Sequence, residues 1–94
     1  MAKYKIAHVH HSGQDMIVFP LTSSFGSKSS SEQQEVMDMF QQAAWSADLA
    51  GHVVVIWQSG NRVYFRAPSA WHSFFRSPNI WGWVMANINK ELTI

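Results

Sequence analysis

The longest uninterrupted apolar run in this chain, Val53-Val54-Val55-Ile56-Trp57, sets the first limit on its fold. It is far too short to span a bilayer. Its β-branched side chains favour an extended strand, entered at His52. Downstream, Arg62-Val63-Tyr64-Phe65-Arg66-Ala67 alternates polar and apolar residues until Pro68 ends the pattern. Ser59-Gly60-Asn61 turns the chain, so residues 52–67 read as a hairpin. Val63, Phe65 and Ala67 are expected to face the core, and Arg62, Tyr64 and Arg66 the solvent. The side taken by Trp57 depends on the turn. A two-residue Gly60-Asn61 turn sets it opposite Tyr64 on the outer face, whereas a three-residue loop sets it opposite Val63 in the core.

A second hairpin precedes it. Lys5 to His10 is compatible with a strand, Met16 to Leu21 strongly so, and Ser12-Gly13-Gln14-Asp15 supplies turn residues. Ile17, Phe19 and Leu21 share one face. Pro20 has no N–H for a ladder and should face an open edge or a bulge. Residues 22–31, with six serines, read as a flexible loop.

Between the hairpins, residues 31–50 read as a helix. Ser29 and Glu32 fit a capping box, Glu32 and Glu35 suit the positive end of the helix dipole, and Gly51 suits the stop. Val36, Met39, Phe40, Ala43 and Ala47 make one apolar stripe. After the second hairpin, Ser69 opens a short helix over 69–77 carrying Trp71, Phe74 and Phe75. Ser77 and Pro78 then open a last helix with the stripe Trp81, Val84, Met85, Ile88 and Leu92. Gly82 weakens its start by roughly 1 kcal/mol relative to alanine. The order β-β-α-β-β-α-α predicts an α+β two-layer sandwich, a four-stranded antiparallel sheet with helices on one face. At 94 residues the chain is expected to form a single domain, 1–94.

Composition narrows the chemistry. With no cysteine there is no disulfide scaffold, thiolate zinc site or cysteine nucleophile. A net charge of +1 is too mild to argue for nucleic acid by itself. Met1-Ala2-Lys3-Tyr4-Lys5 leads into alternating residues with no apolar h-region, so a cytoplasmic protein is expected. No Gly-x-Ser-x-Gly elbow is present, and no cofactor is implied.

Four groups of residues remain as candidate sites. His8 and His10 project to one strand face about 7 Å apart, a spacing that suits two imidazoles on one metal; Asp15, His52 or His72 would have to complete it. An exposed polar face on an edge strand explains the pair more simply, since the sequence offers no spaced third ligand. Lys28 and Ser29 lie at a helix N-terminus, where free N–H groups can hold an anion, or merely cap the helix. Arg62, Tyr64 and Arg66 on one sheet face suit stacking on single-stranded nucleic acid, or ordinary cation–π packing.

The fourth group is Trp45, Leu49 and Trp83. They lie on the far sides of their helices, away from the apolar stripes. If both helices cover one sheet face, the three form one outer patch suited to a twofold interface, with Asp38 and Asp48 at its rim. The expectation is therefore a small non-catalytic binding domain, a homodimer with no membrane contact. A nucleic-acid-binding module on the Arg62/Tyr64/Arg66 face is the alternative, and a metal-dependent enzyme using His8, His10 and His72 the second.

Overall fold

A computed structural model describes residues 3–11 and 13–94. Strands β1 (Lys3–His11) and β2 (Gln14–Leu21) form the first hairpin, with Gly13 at φ 77° beside its closing pair His11↔Gln14. A 3-10 turn (Ser23–Ser27) leads into helix α1 (Ser30–Ser46). Strands β3 (His52–Ser59) and β4 (Arg62–Arg66) form the second hairpin. A 3-10 turn (Ser69–Trp71), helix α2 (His72–Phe75), helix α3 (Ile80–Ala86) and strand β5 (Lys90–Thr93) complete the order.

The five strands make one mixed sheet in the order β4-β3-β2-β1-β5. The expected four-stranded antiparallel sheet is thereby corrected in two respects. β2 and β3 run parallel, with Ile17↔Val53, Phe19↔Val55 and Leu21↔Trp57 as partners, because α1 carries the chain back to the starting end of the sheet. β5 adds a fifth strand beside β1.

Helices cover both faces, where sequence pattern suggested one. Ile6, Ile17, Phe19, Val53, Val55, Trp57 and Leu92 point towards α1 and the first 3-10 turn, and pack with Phe25, Phe40 and Ala44. Ala7, Met16, Val18, Val54 and Ile56 point the other way, against Trp71, Phe75, Ile80 and Val84. A strand covered on both faces needs apolar side chains at every position, which is why Val53–Trp57 is continuous and not alternating. On the α1 side Phe19 and Phe40 stack at 4.1 Å, with the Tyr4 edge 5.0 Å from Phe40. Such pairs add roughly 0.5–1.5 kcal/mol beyond their buried area.

Several local expectations hold, and others shift. Ser29 is the N-cap: its hydroxyl accepts from the Glu32 N–H at 3.2 Å, and the Glu32 carboxylate accepts from the Ser29 N–H at 3.1 Å. The helix stops four residues earlier than 50, at Ser46. Asp48 takes the left-handed conformation at φ 60°, its N–H bonding Trp45 O and that of Leu49 bonding Ala44 O, the two bonds of a Schellman stop. Pro20 lies in a central strand, where no open edge is available. The β1–β2 ladder ends at Ala7↔Val18, before the residue that has no N–H to give.

The last helix is short. Ile80 and Val84 are buried, Met85 is exposed, and Leu92 belongs to β5. The N-cap of α3 is Asn79 and not Ser77, and Ser69 makes no side-chain cap bond. Asn89 ends the α3 segment by clamping β1. It accepts from the His8 N–H at 2.9 Å, donates to the His8 carbonyl at 2.8 Å, and its own N–H bonds Ile6 O.

Candidate functional site

The two histidines of the metal reading share the α1 side of β1, and each is already engaged. His8 Nε2 donates to Ala50 O at 2.9 Å, and His10 Nδ1 meets its cross-strand neighbour Asp15 at 2.8 Å. His52 and His72 lie across the sheet, packed on Trp71 and Phe65. Among the described residues no three His, Asp or Glu side chains are grouped to hold a metal. At the start of α1 the anion position next to Lys28 and Ser29 is filled by the chain itself. Bonds from the Ser29 N–H and hydroxyl, with the Lys28 charge nearby, hold the Glu32 carboxyl below its usual range.

Trp45 and Trp83 cannot share one patch. Trp45 is 57% exposed on α1, while Trp83 is on α3 across the sheet, half-buried with its ring 5.0 Å from Phe74. Leu49 packs inward against the α1-side core. The self-pairing surface expected from these three residues therefore does not form, because the two helices lie on opposite faces.

A cleft of about 500 Å³ runs between α1, the start of β3 and the β4–α2 corner. Its polar groups brace the fold. Gln41 accepts from the Val53 N–H at 2.9 Å and donates to Gly51 O at 3.1 Å, which satisfies β3 where β4 no longer pairs with it. Arg66 donates to Gln33 and Gln34, and Gln34 to Asp38, while His72 Nε2 donates to Ala67 O. Arg66 shares the α1-side face of β4 with Tyr64 and Arg62, as expected, but its guanidinium is tied to α1 and is not free.

Arg62 and Tyr64 lie further along the same face, at the hairpin end of β4. Ser59 pairs with Arg62, so the turn has two residues, and Gly60 at φ 62° takes the first central position that a II′ turn gives to glycine. Trp57 therefore stands opposite Tyr64, their rings nearly parallel at 19° and 5.9 Å apart. Phe25, the one buried residue of the 3-10 turn, sets its ring edge 4.9 Å from Trp57. Gln33 Nε2 holds the Phe25 carbonyl at 3.1 Å.

This anchoring brings Gly26 against the indole. A Cβ on residue 26 would lie 2.6 Å from Trp57 Nε1. Gly26 has no positive φ, so close approach and not backbone conformation is what its missing side chain serves. The result is a recess of about 290 Å³ lined by Ser23, Gly26, Ser27, Trp57, Ser59 and Tyr64. It sits beyond the carboxyl ends of the two parallel strands, between the first 3-10 turn and the β3–β4 hairpin.

Trp57 is only 8% exposed, yet among the described residues its N–H has no acceptor, and it is not sealed from solvent. The Gly26 backbone thus packs closely on the indole edge, where an added methyl group would clash. Strand alternation put Arg62 and Tyr64 on one exposed face, as the structure has them, and gave no sign of Gly26 or the serines of the turn. Its one available signal was a glycine and an aromatic inside a serine-rich stretch. Comparison with protein-family models, curated proteins and solved structures returned no match.

Proposed function

We propose that this chain is a non-catalytic binding domain whose ligand enters the recess at Trp57 and presents a hydrogen-bond acceptor to the indole N–H. The observation that carries this reading is the recess itself, where the exposed Tyr64 ring lies against the Trp57 indole, whose N–H reaches solvent, among three serine hydroxyls. A ligand acceptor there takes the place of water on the indole N–H, a net gain of roughly 0.5–1.5 kcal/mol. The exposed Tyr64 ring offers a flat surface next to it, and three serine hydroxyls supply further polar contacts.

Thermal unfolding with three neutral ring probes, uracil, nicotinamide and glucose, tests the reading. A ligand at ten times its Kd adds about 1.4 kcal/mol to the folded state. At least one probe is expected to raise Tm in the wild type and not in Trp57→Phe, which keeps the ring and loses the donor. No shift with any probe, or equal shifts in both proteins, would contradict the proposal.

A further inference from the structure

We infer that the open edge of β4 takes an extended acidic peptide as an added strand, with the peptide's apolar side chains in the groove between β4 and α3. The groove lies on the opposite side of the sheet from the Trp57 recess, and the inference does not rest on that reading.

Backbone bonding is the first argument. β4 ends the sheet, and among the described strands it pairs with β3 alone. In a two-residue hairpin the residues flanking the turn exchange both backbone bonds, and bonded pairs then alternate with unbonded ones. Ser59↔Arg62, Trp57↔Tyr64 and Val55↔Arg66 are therefore the bonded pairs. The N–H and C=O groups of Val63 and Phe65 point outward from the sheet, about 6.8 Å apart along the strand. No turn, cap or side chain among the described residues bonds them. The strand has no proline and its register with β3 runs unbroken, so neither a proline nor a bulge guards this edge. A free row of this kind is completed by another strand, the way extended peptides add to sheet edges.

The groove is the second argument. Val63 and Phe65 turn their half-buried side chains to the α3 side. With Phe75, Ile80 and Trp81 they line a groove of about 570 Å³. Side chains of an incoming strand alternate in the same way, so every second one faces this groove. Charge decides the others, and with them the partner. From Leu49 to Lys90 the chain carries Arg62, Arg66, Arg76 and Lys90 and no acid. Arg62 is exposed on the far face of β4 and Arg76 at the groove, and no carboxylate among the described residues pairs with either. A second copy of the chain fits this edge badly. Full antiparallel overlap of two β4 strands sets Arg62 opposite Arg66, and like charges directly opposite destabilise a sheet. A foreign strand with Asp or Glu at alternate positions meets Arg62 with the opposite sign.

Calorimetric titration with capped hexapeptides tests the inference. One peptide alternates glutamate and valine, and a second alternates lysine and valine. The glutamate peptide should bind about tenfold more tightly than the lysine peptide, and Arg62→Glu should erase that gap. The glutamate peptide N-methylated at every residue keeps its charges and side chains but cannot donate to a strand, and it should not bind. Val63→Pro removes an outward N–H without breaking a bond to β3. Checked for folding by circular dichroism, this variant should bind the glutamate peptide about tenfold more weakly. The inference falls if the glutamate peptide does not bind, if the lysine peptide binds as well, or if N-methylation makes no difference. It falls too if light scattering shows a wild-type dimer that Val63→Pro reduces to single chains, which would assign the edge to a second copy. Each of these results leaves the reading of the Trp57 recess standing.

Discussion

Ser29 and Glu32 cap each other at the start of α1, and the cap has a defined pH signature. The Ser29 N–H and hydroxyl bonds hold the folded-state carboxyl of Glu32 below its usual range, so its ionised form favours folding. That contribution is complete above the unfolded-state pKa and is lost as pH falls through the lower folded-state value. Glu32→Gln should therefore be less stable than wild type in urea at neutral pH, with the gap closing in acid below the ordinary carboxylate range. Ser29→Ala should cost about 1 kcal/mol, the usual worth of a serine N-cap. The other end of α1 is less well matched. Asp48 puts a negative charge at the negative end of the helix dipole and a non-glycine residue at φ 60°. Asp48→Asn keeps a side chain that tolerates this conformation and removes the charge, so urea unfolding should show a gain of about 0.5 kcal/mol. The cap was legible as Ser-x-x-Glu. The stop was not, because Gly51 offered the more obvious signal. Gly51 instead serves a close approach to the Asp15 backbone at φ 118°.

At the level of elements, both hairpins and α1 followed from local pattern, and the error lay in reading how they join. The run Val53–Trp57 reads as a strand, and the absence of any polar residue within it calls for a reason. Burial on both faces is the physical answer, and it implies a covered, parallel strand. The apolar residues 80–92 fitted a 3.6-residue stripe only because Leu92 falls one helical repeat after Met85. Asn89 breaks the helix by bonding both backbone groups of His8, a partner 81 positions away that no local pattern reveals. A continuous helix would bury Met85 and Leu92 together. β5 buries Leu92 and leaves Met85 outside. Leu92→Ala should thus cost about 2–5 kcal/mol and Met85→Ala less than about 0.5 kcal/mol, both measured by chemical unfolding.

For the molecule as a whole, covering both faces of one sheet decides where function can sit. The faces are used for packing, so the open positions are the sheet ends and corners. The expected dimer patch required Trp45 and Trp83 on one side, and the crossover through α1 separates them. Light scattering over a concentration series should give the same mass for wild type and Trp45→Glu; a lower mass in the variant would show that α1 alone carries an interface. The part of the candidate site that was legible, Arg62 and Tyr64, came from strand alternation. The rest depends on the β3–β4 register and on Phe25 anchoring the serine-rich turn, both of which are tertiary.

The most direct measurement follows the donor itself. In a ¹⁵N-labelled sample the indole region should show one signal for each of the five tryptophans, and loss of one in Trp57→Phe assigns it. On titration with uracil, nicotinamide and glucose in turn, the account predicts that at least one moves the Trp57 signal downfield as its N–H gains an acceptor, while those of Trp45 and Trp83 stay in place. A Trp57 signal that holds still with all three, or while a probe shifts another tryptophan, would contradict the assignment of this corner as the binding site.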